Sequence, residues 1–105
     1  MTDPLDLPQR HLRTLEALIL EHLPRVEVWA YGSRVNGGSH DGSDLDLVLR
    51  APGLKPIPAE QLADFRSAVC ESTIPCLVEA RDWARLPERF QREIRRRHVR
   101  LALGT

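Results

Sequence analysis

Two aspartates, Asp44 and Asp46, stand two positions apart in the segment SDLDLVLR. The leucines at positions 45, 47 and 49 alternate with other residues, which predicts a strand. Because side chains in a strand repeat every two residues, both carboxylates are expected on one face. Like charges repel, and a partly buried carboxylate without a partner is costly. Magnesium is the natural compensation, since it binds through one or two carboxylates and the phosphates of its substrate. The pair therefore indicates metal-assisted displacement at phosphorus.

A Gly-Ser pair precedes the aspartates, with Ser33 eleven residues before Asp44. Gly32 lets the backbone approach a bulky anion closely, and Ser33 offers a hydroxyl and an amide donor. If a short helix begins there, its first N–H groups point at phosphate. Arg34 is a further candidate phosphate contact, with a surface role as the alternative. Ser43 is a candidate for nucleotide binding, with a purely local role in shaping the turn as the alternative.

A third carboxylate, Glu79, lies in the segment CLVEA, which is predicted to form a strand next to the aspartates. Strand alternation places Glu79 on the face away from Cys76, Val78 and Ala80. It could complete a metal site or act as the base for an acceptor hydroxyl. Alone, a D-x-D pair is usually two exposed acids, and a lone Gly-Ser pair means less. Their combination, with strands before and after, is much more specific.

These residues depend on a short series of helices and strands. Apolar residues at helical spacing and the alternating segments predict the order α-β-β-α-β-α. The predicted elements are a helix at 8–23, strands at 25–31 and 44–50, a helix at 58–71, a strand at 76–80, a helix from Pro87, and a possible short last strand within 98–103.

Length and composition predict a single soluble domain over residues 1–105. A chain of 105 residues with 42% hydrophobic and 29% charged residues is ordinary for a globular protein. No apolar run approaches the roughly 18 residues that span a bilayer, and the acidic N-terminus does not resemble a signal peptide. We therefore expect a cytoplasmic protein. Cys70 and Cys76 fit no metal or redox motif and are expected to be buried free thiols.

Charge is distributed unevenly along the chain. Residues 81–105 hold eight arginines and three acids, whereas residues 1–80 hold seven basic and twelve acidic side chains. This asymmetry indicates an anionic partner for the C-terminal segment, either a nucleotide, a nucleic acid or an acidic protein surface. A solvated arginine-rich helix face is the alternative.

The segments GSRVNG (residues 32–37) and SDLDL (residues 43–47) resemble the signature of DNA polymerase beta-like nucleotidyltransferases, and in particular the minimal nucleotidyltransferases. The resemblance covers nearly the full chain. It implies an α/β (α+β) fold with a small mixed β-sheet and helices packed on it. It also implies transfer of AMP from ATP with Mg²⁺, two ions being expected. By position, Gly32 and Ser33 hold the triphosphate, Asp44 and Asp46 hold the metals, and Glu79 is the third carboxylate.

Many members of this family resemble antitoxins that adenylylate a tyrosine of a HEPN-domain toxin. The resemblance therefore implies a HEPN toxin as partner. Little of the chain remains to bind an acceptor, so the acceptor pocket is expected to come from a partner chain in a hetero-oligomer or from a homodimer. Similar sequences have aspartate where this one has Glu79, whose side chain is longer by one bond of about 1.5 Å. Turnover could therefore be slow, or Asp82 could substitute, although an ideal strand places Asp82 on the opposite face. The alternative function is an antitoxin that neutralises its partner by contact alone.

Nucleic-acid binding is a third hypothesis, carried by arginines near the C-terminus. It would involve Arg89, Arg92, Arg96 and Arg100, and it predicts an affinity that falls steeply with salt. The acidic remainder of the chain and the absence of a DNA-reading motif argue against it.

Overall fold

The computed structural model describes residues 5, 7–36 and 44–101, which form a sheet with helices on both faces. The helices and strands are α1 (Gln9–His22), β1 (Glu27–Tyr31), α2 (Ser33–Asn36), β2 (Leu45–Arg50), α3 (Ala59–Cys70), β3 (Val78–Asp82), α4 (Glu88–Arg96) and β4 (Val99–Arg100). Two short 3₁₀ turns lie between β2 and α3 (Pro52–Leu54) and between β3 and α4 (Trp83–Arg85).

The sheet is mixed, as the family resemblance predicts. Its strand order in the described residues is β3-β2-β1-β4. β1 is antiparallel to both β2 and β4, whereas β2 and β3 run parallel. A parallel pair needs a long crossover, and α3 supplies it here. The predicted α/β class is therefore confirmed.

One face of the sheet carries the main hydrophobic core. Strand alternation directs Val28, Ala30 and Leu47 to this face, where α1 and α3 cover them. The helices present apolar stripes at helical spacing, which explains why they pack there. The stripe residues are Leu15 and Ile19 of α1 and Leu62, Phe65 and Val69 of α3, all of them buried.

The opposite face is only partly covered. α4 packs Ile94 against a smaller apolar cluster that includes Trp29, Tyr31 and Val48 of the sheet and Trp83. Leu86 and Phe90 are half-buried against the same cluster. The polar residues at the ends of β1, β2 and β3 share this face.

Two expectations are wrong in detail. β3 runs over Val78–Asp82 rather than 76–80, because its pairing with β2 starts where the Leu45 amide donates to the Leu77 carbonyl at 2.8 Å. The two cysteines are free but not buried, since Cys70 is exposed and Cys76 is only half-buried. Cys70 ends α3 one position beyond the buried Val69, off the apolar stripe. None of the described helices is long and apolar enough to cross a membrane.

Candidate active site

Three side chains form a row across the partly covered face of the sheet. Asp46 on β2 is in register with Tyr31 on antiparallel β1 and with Glu79 on parallel β3. Residues paired in register project from the same face of a sheet. The structure therefore brings Glu79 beside Asp46, on the adjacent strand and the face that the sequence predicts.

Arg81 joins this row and was not singled out from the sequence. Its Nη1 donates to the Tyr31 hydroxyl at 2.9 Å and lies 3.6 Å from Oδ1 of Asp46. The available signal was its place two residues after Glu79, which puts both on one face of β3. In the described residues, Arg81 supplies the positive charge that the Asp46 carboxylate requires.

Electrostatic conflict remains at Asp46 despite this ion pair. Burial raises the pKa of the Asp46 carboxyl, and the carboxylates of Asp44 and Glu79 raise it further, whereas Arg81 lowers it. Burial also raises the pKa of Tyr31, so its hydroxyl stays protonated at neutral pH and accepts from Arg81 through its oxygen. A bound cation would relieve the conflict among the carboxylates, because it favours their charged forms.

The Gly-Ser turn lies against Asp46. Gly32 has a φ of +84°, and a Cβ added there would lie 2.6 Å from Oδ2 of Asp46. Only glycine combines this backbone conformation with such a close approach. α2 begins immediately afterwards at Ser33, and the Val35 amide donates to the Gly32 carbonyl at 3.0 Å. The short helix considered from the sequence is therefore present.

The remaining predicted site residues differ in their burial and position. Asp44 is exposed and stands immediately before β2 rather than within it, close enough to influence Asp46. Ser33 is half-buried. Arg34 is 7% exposed and interacts within the chain, so the alternative of a surface role is wrong. Ser43 lies outside the described residues, and its role stays a prediction.

Asp82, the alternative third carboxylate, is buried and hydrogen-bonded to neighbouring segments of the chain. It is 4% exposed and faces away from Asp46, as strand alternation predicts. Its Oδ2 accepts from the Ile57 amide at 2.9 Å and from Arg85 Nη1 at 3.2 Å, and its Oδ1 accepts from the Ala84 amide at 3.2 Å. Asp82 therefore ties the segment before α3 to the end of β3 and points away from Asp46 and Glu79.

The carboxylates of Asp44, Asp46 and Glu79 have the chemistry to bind a divalent cation, but they do not form a complete coordination site. Within residues 5, 7–36 and 44–101, no group of three or more His, Cys, Asp or Glu side chains is arranged to hold a metal ion. Magnesium is commonly held by one or two carboxylates together with substrate phosphates. Asp44 and Asp46, beside the close backbone approach at Gly32, fit that pattern. A metal set that includes Glu79 stays a prediction.

Comparisons with known proteins agree with the resemblance seen in the sequence. The profile of the nucleotidyltransferase domain family matches residues 12–101. The chain is also 35% identical over 97 residues to a protein of Haemophilus influenzae (strain ATCC 51907 / DSM 11121 / KW20 / Rd) that is named probable protein adenylyltransferase MntA. That alignment covers 90% of this chain and 82% of the relative.

A solved structure shares the fold. One chain of a crystal structure of a toxin-antitoxin with AMP-PNP superposes with a TM-score of 0.73. The match covers 90% of this chain and 73% of that chain, at 17% sequence identity. At this sequence identity the likeness supports the fold alone. The evidence for the site is the geometry of the Gly-Ser turn, Asp46 and Glu79 in this chain.

Proposed function

The chain belongs to the nucleotidyltransferase domain family and is an enzyme of that type, and we propose that it transfers AMP from ATP to a tyrosine hydroxyl of a HEPN toxin. By this reaction it acts as the antitoxin. The observation that carries the proposal is the contact of the Gly32 turn with Asp46, in register with Glu79. This contact brings the Gly-Ser turn, which we propose binds phosphate, close to two carboxylates of the sheet.

The choice of a protein acceptor rests on the relatives. The Haemophilus relative is named as a protein adenylyltransferase, and a chain with the same fold belongs to a toxin-antitoxin solved with AMP-PNP. The HEPN class of the toxin and the tyrosine acceptor come from the resemblance to minimal nucleotidyltransferases. A location in the cytoplasm, where ATP is available, is part of the same proposal.

The proposed reaction assigns a role to each part of the site. The backbone of Gly32 and Ser33 holds the triphosphate, with Arg34 and Ser43 as further contacts. The acceptor oxygen forms a bond to the α-phosphorus, and the bond from that phosphorus to the bridging oxygen of the β-phosphate breaks. Pyrophosphate leaves, and Glu79 accepts the hydroxyl proton. Tyr31 and Arg81 keep Asp46 oriented through the contacts described above.

Magnesium is the proposed cofactor, with Asp44, Asp46 and Glu79 as its candidate ligands and two ions expected. When bound, it neutralises phosphate charge and stabilises the attacking and leaving oxygens of an in-line displacement. Asp46 is the candidate ligand that lies against the Gly32 turn proposed to hold the triphosphate.

The test is mass spectrometry of the partner toxin after incubation with this protein, ATP and magnesium. We expect mass increments of AMP on the toxin, and their loss in the Asp44→Asn/Asp46→Asn double variant. Asp64→Asn is the matched control, because Asp64 is an exposed aspartate on α3, on the other face of the sheet. An unmodified toxin would contradict the proposed transfer.

The second candidate is an antitoxin that acts by contact alone. It is favoured by the presence of Glu79 at the position where the resemblance to minimal nucleotidyltransferases implies aspartate, since magnesium demands near-ideal octahedral geometry. Neutralisation of the toxin without any change in its mass, equally by the native protein and by the double variant, would support this candidate.

A further inference from the structure

We propose that a groove along α4 is the docking site for the acceptor protein and binds an acidic segment of it. The inference rests on the proposed function and identifies the surface that presents the acceptor hydroxyl to Asp46. It is supported by the continuity of the groove with the active site, by the aromatic floor of the groove and by its charge.

The groove consists of two cavities that meet on α4. The first, of about 430 Å³, is lined by Pro87, Arg89, Phe90 and Glu93. The second, of about 510 Å³, shares Phe90 and Glu93 with the first. Its other lining residues are Tyr31, Gly32, Ile94, Arg96 and Arg97. The two cavities therefore adjoin the same stretch of α4, and a peptide that follows this helix would contact both.

The second cavity ends at the active site. Tyr31, in its wall, is in register with Asp46 and accepts a hydrogen bond from Arg81. Gly32, in the same wall, is the residue whose backbone approaches Oδ2 of Asp46. A segment that occupies this cavity therefore lies beside the turn proposed to hold the triphosphate.

Phe90 forms the floor where the two cavities meet and contacts the active-site row. Its ring packs edge-on against the Tyr31 ring, with 5.8 Å between centroids. The Arg81 guanidinium carbon lies 5.9 Å from the centre of the same ring. An apolar or aromatic acceptor side chain over Phe90 would therefore pack one layer away from the residues that orient Asp46.

The charge of the groove favours an acidic occupant. Arg89, Arg96 and Arg97 line it, and Glu93 is the single carboxylate among the described lining residues. Glu93 pairs with Arg96 at 3.6 Å, but both side chains are largely exposed, so this ion pair is weak and its arginine is available. A protein segment is favoured over RNA because the Haemophilus relative is named as a protein adenylyltransferase.

The experiment measures binding of labelled poly(Glu,Tyr) to the full chain by fluorescence anisotropy, with poly(Lys,Tyr) as the copolymer of opposite charge. The groove variant is Arg89→Glu/Arg96→Glu. The matched control is Arg10→Glu/Arg13→Glu, which makes the same change in net charge at exposed positions of α1, on the other face of the sheet. We expect the groove variant to lose about tenfold or more in affinity, because two attractive charges are replaced by repulsive ones. The control should change by less than about twofold.

The docking site would be contradicted if the native protein did not bind poly(Glu,Tyr), or if it bound poly(Lys,Tyr) equally well. It would also be contradicted if both variants lost the same affinity, or if oligouridylate RNA bound more tightly than poly(Glu,Tyr). Binding of a fluorescent ATP analogue with magnesium is measured in parallel on the same proteins. If the native protein did not bind the nucleotide, that result would count against the proposed function. The copolymer result alone decides whether the groove is a docking site.

Discussion

The guanidinium of Arg81 lies 3.6 Å from the carboxylate of Asp46, on the neighbouring parallel strand. The Tyr31 hydroxyl accepts a hydrogen bond from the same guanidinium nitrogen at 2.9 Å. The carboxylate that is central to the proposed chemistry thus has a cation from its own chain, held in place by a residue of a third strand. This arrangement offsets part of the repulsion among the carboxylates before any ligand binds.

Arg81→Gln should shift the pH dependence of magnesium binding. Arg81 lowers the pKa of Asp46, so its removal raises that pKa further. Magnesium needs the ionised carboxylate, and the ionised form is lost as pH falls through the pKa. The acid limb of magnesium affinity, measured by calorimetry with a non-hydrolysable ATP analogue, should therefore move to higher pH. Arg85→Gln, whose arginine pairs with Asp82 on the opposite face, is the control and should leave the limb in place.

Asp46→Asn should stabilise the fold while it abolishes transfer. The folded-state pKa of Asp46 is raised, mainly by burial, so the folded protein retains this proton to a higher pH than the unfolded chain. Stability therefore falls as pH rises through the folded pKa, and the ionised carboxylate is a cost at neutral pH. We expect the Tm without magnesium to rise by roughly 2–4 °C in calorimetry. A lower Tm than that of the native protein would contradict this account.

Gly32→Ala and Gly53→Ala separate backbone strain from a steric effect on Asp46. Both glycines have positive φ, +84° and +68°, so either substitution should cost about 1–3 kcal/mol of unfolding free energy. Only at Gly32 does the new Cβ meet Asp46, at 2.6 Å, whereas at Gly53 it meets side-chain carbons of Lys55 at 3.9 Å. AMP transfer per folded molecule should fall at least about tenfold in Gly32→Ala alone. Equal activity of the two variants would mean that the contact with Asp46 has no functional role.

Asp82→Ala and Glu79→Gln should affect different properties. Asp82 is buried and accepts three hydrogen bonds, one of them from Arg85, so its loss should cost about 3 kcal/mol in urea unfolding. Glu79 is half-buried, and no described hydrogen bond or ion pair involves its side chain. Glu79→Gln should therefore lower the rate of AMP transfer with little change in unfolding free energy. The reverse pattern would assign the third carboxylate to Asp82.

Local periodicity was enough to assign most elements and the faces of their side chains. The leucines of β2 place Asp46 opposite Leu45 and Leu47, and the alternation of β3 places Glu79 opposite Ala80. Both assignments need only the two-residue repeat of a strand and the preference of apolar side chains for the core. The resemblance of the Gly-Ser and SDLDL segments then identified the family and the mixed sheet.

Only the tertiary structure decided which side chains are neighbours. Strand alternation specifies a face but not the register, and register places Tyr31, Asp46 and Glu79 in one row. The ion pair of Arg81, the contact of Gly32 with Asp46 and the docking of α4 over Tyr31 join residues far apart in the chain. Such contacts depend on how whole elements pack, and the spacing of residues within one segment carries no information about them.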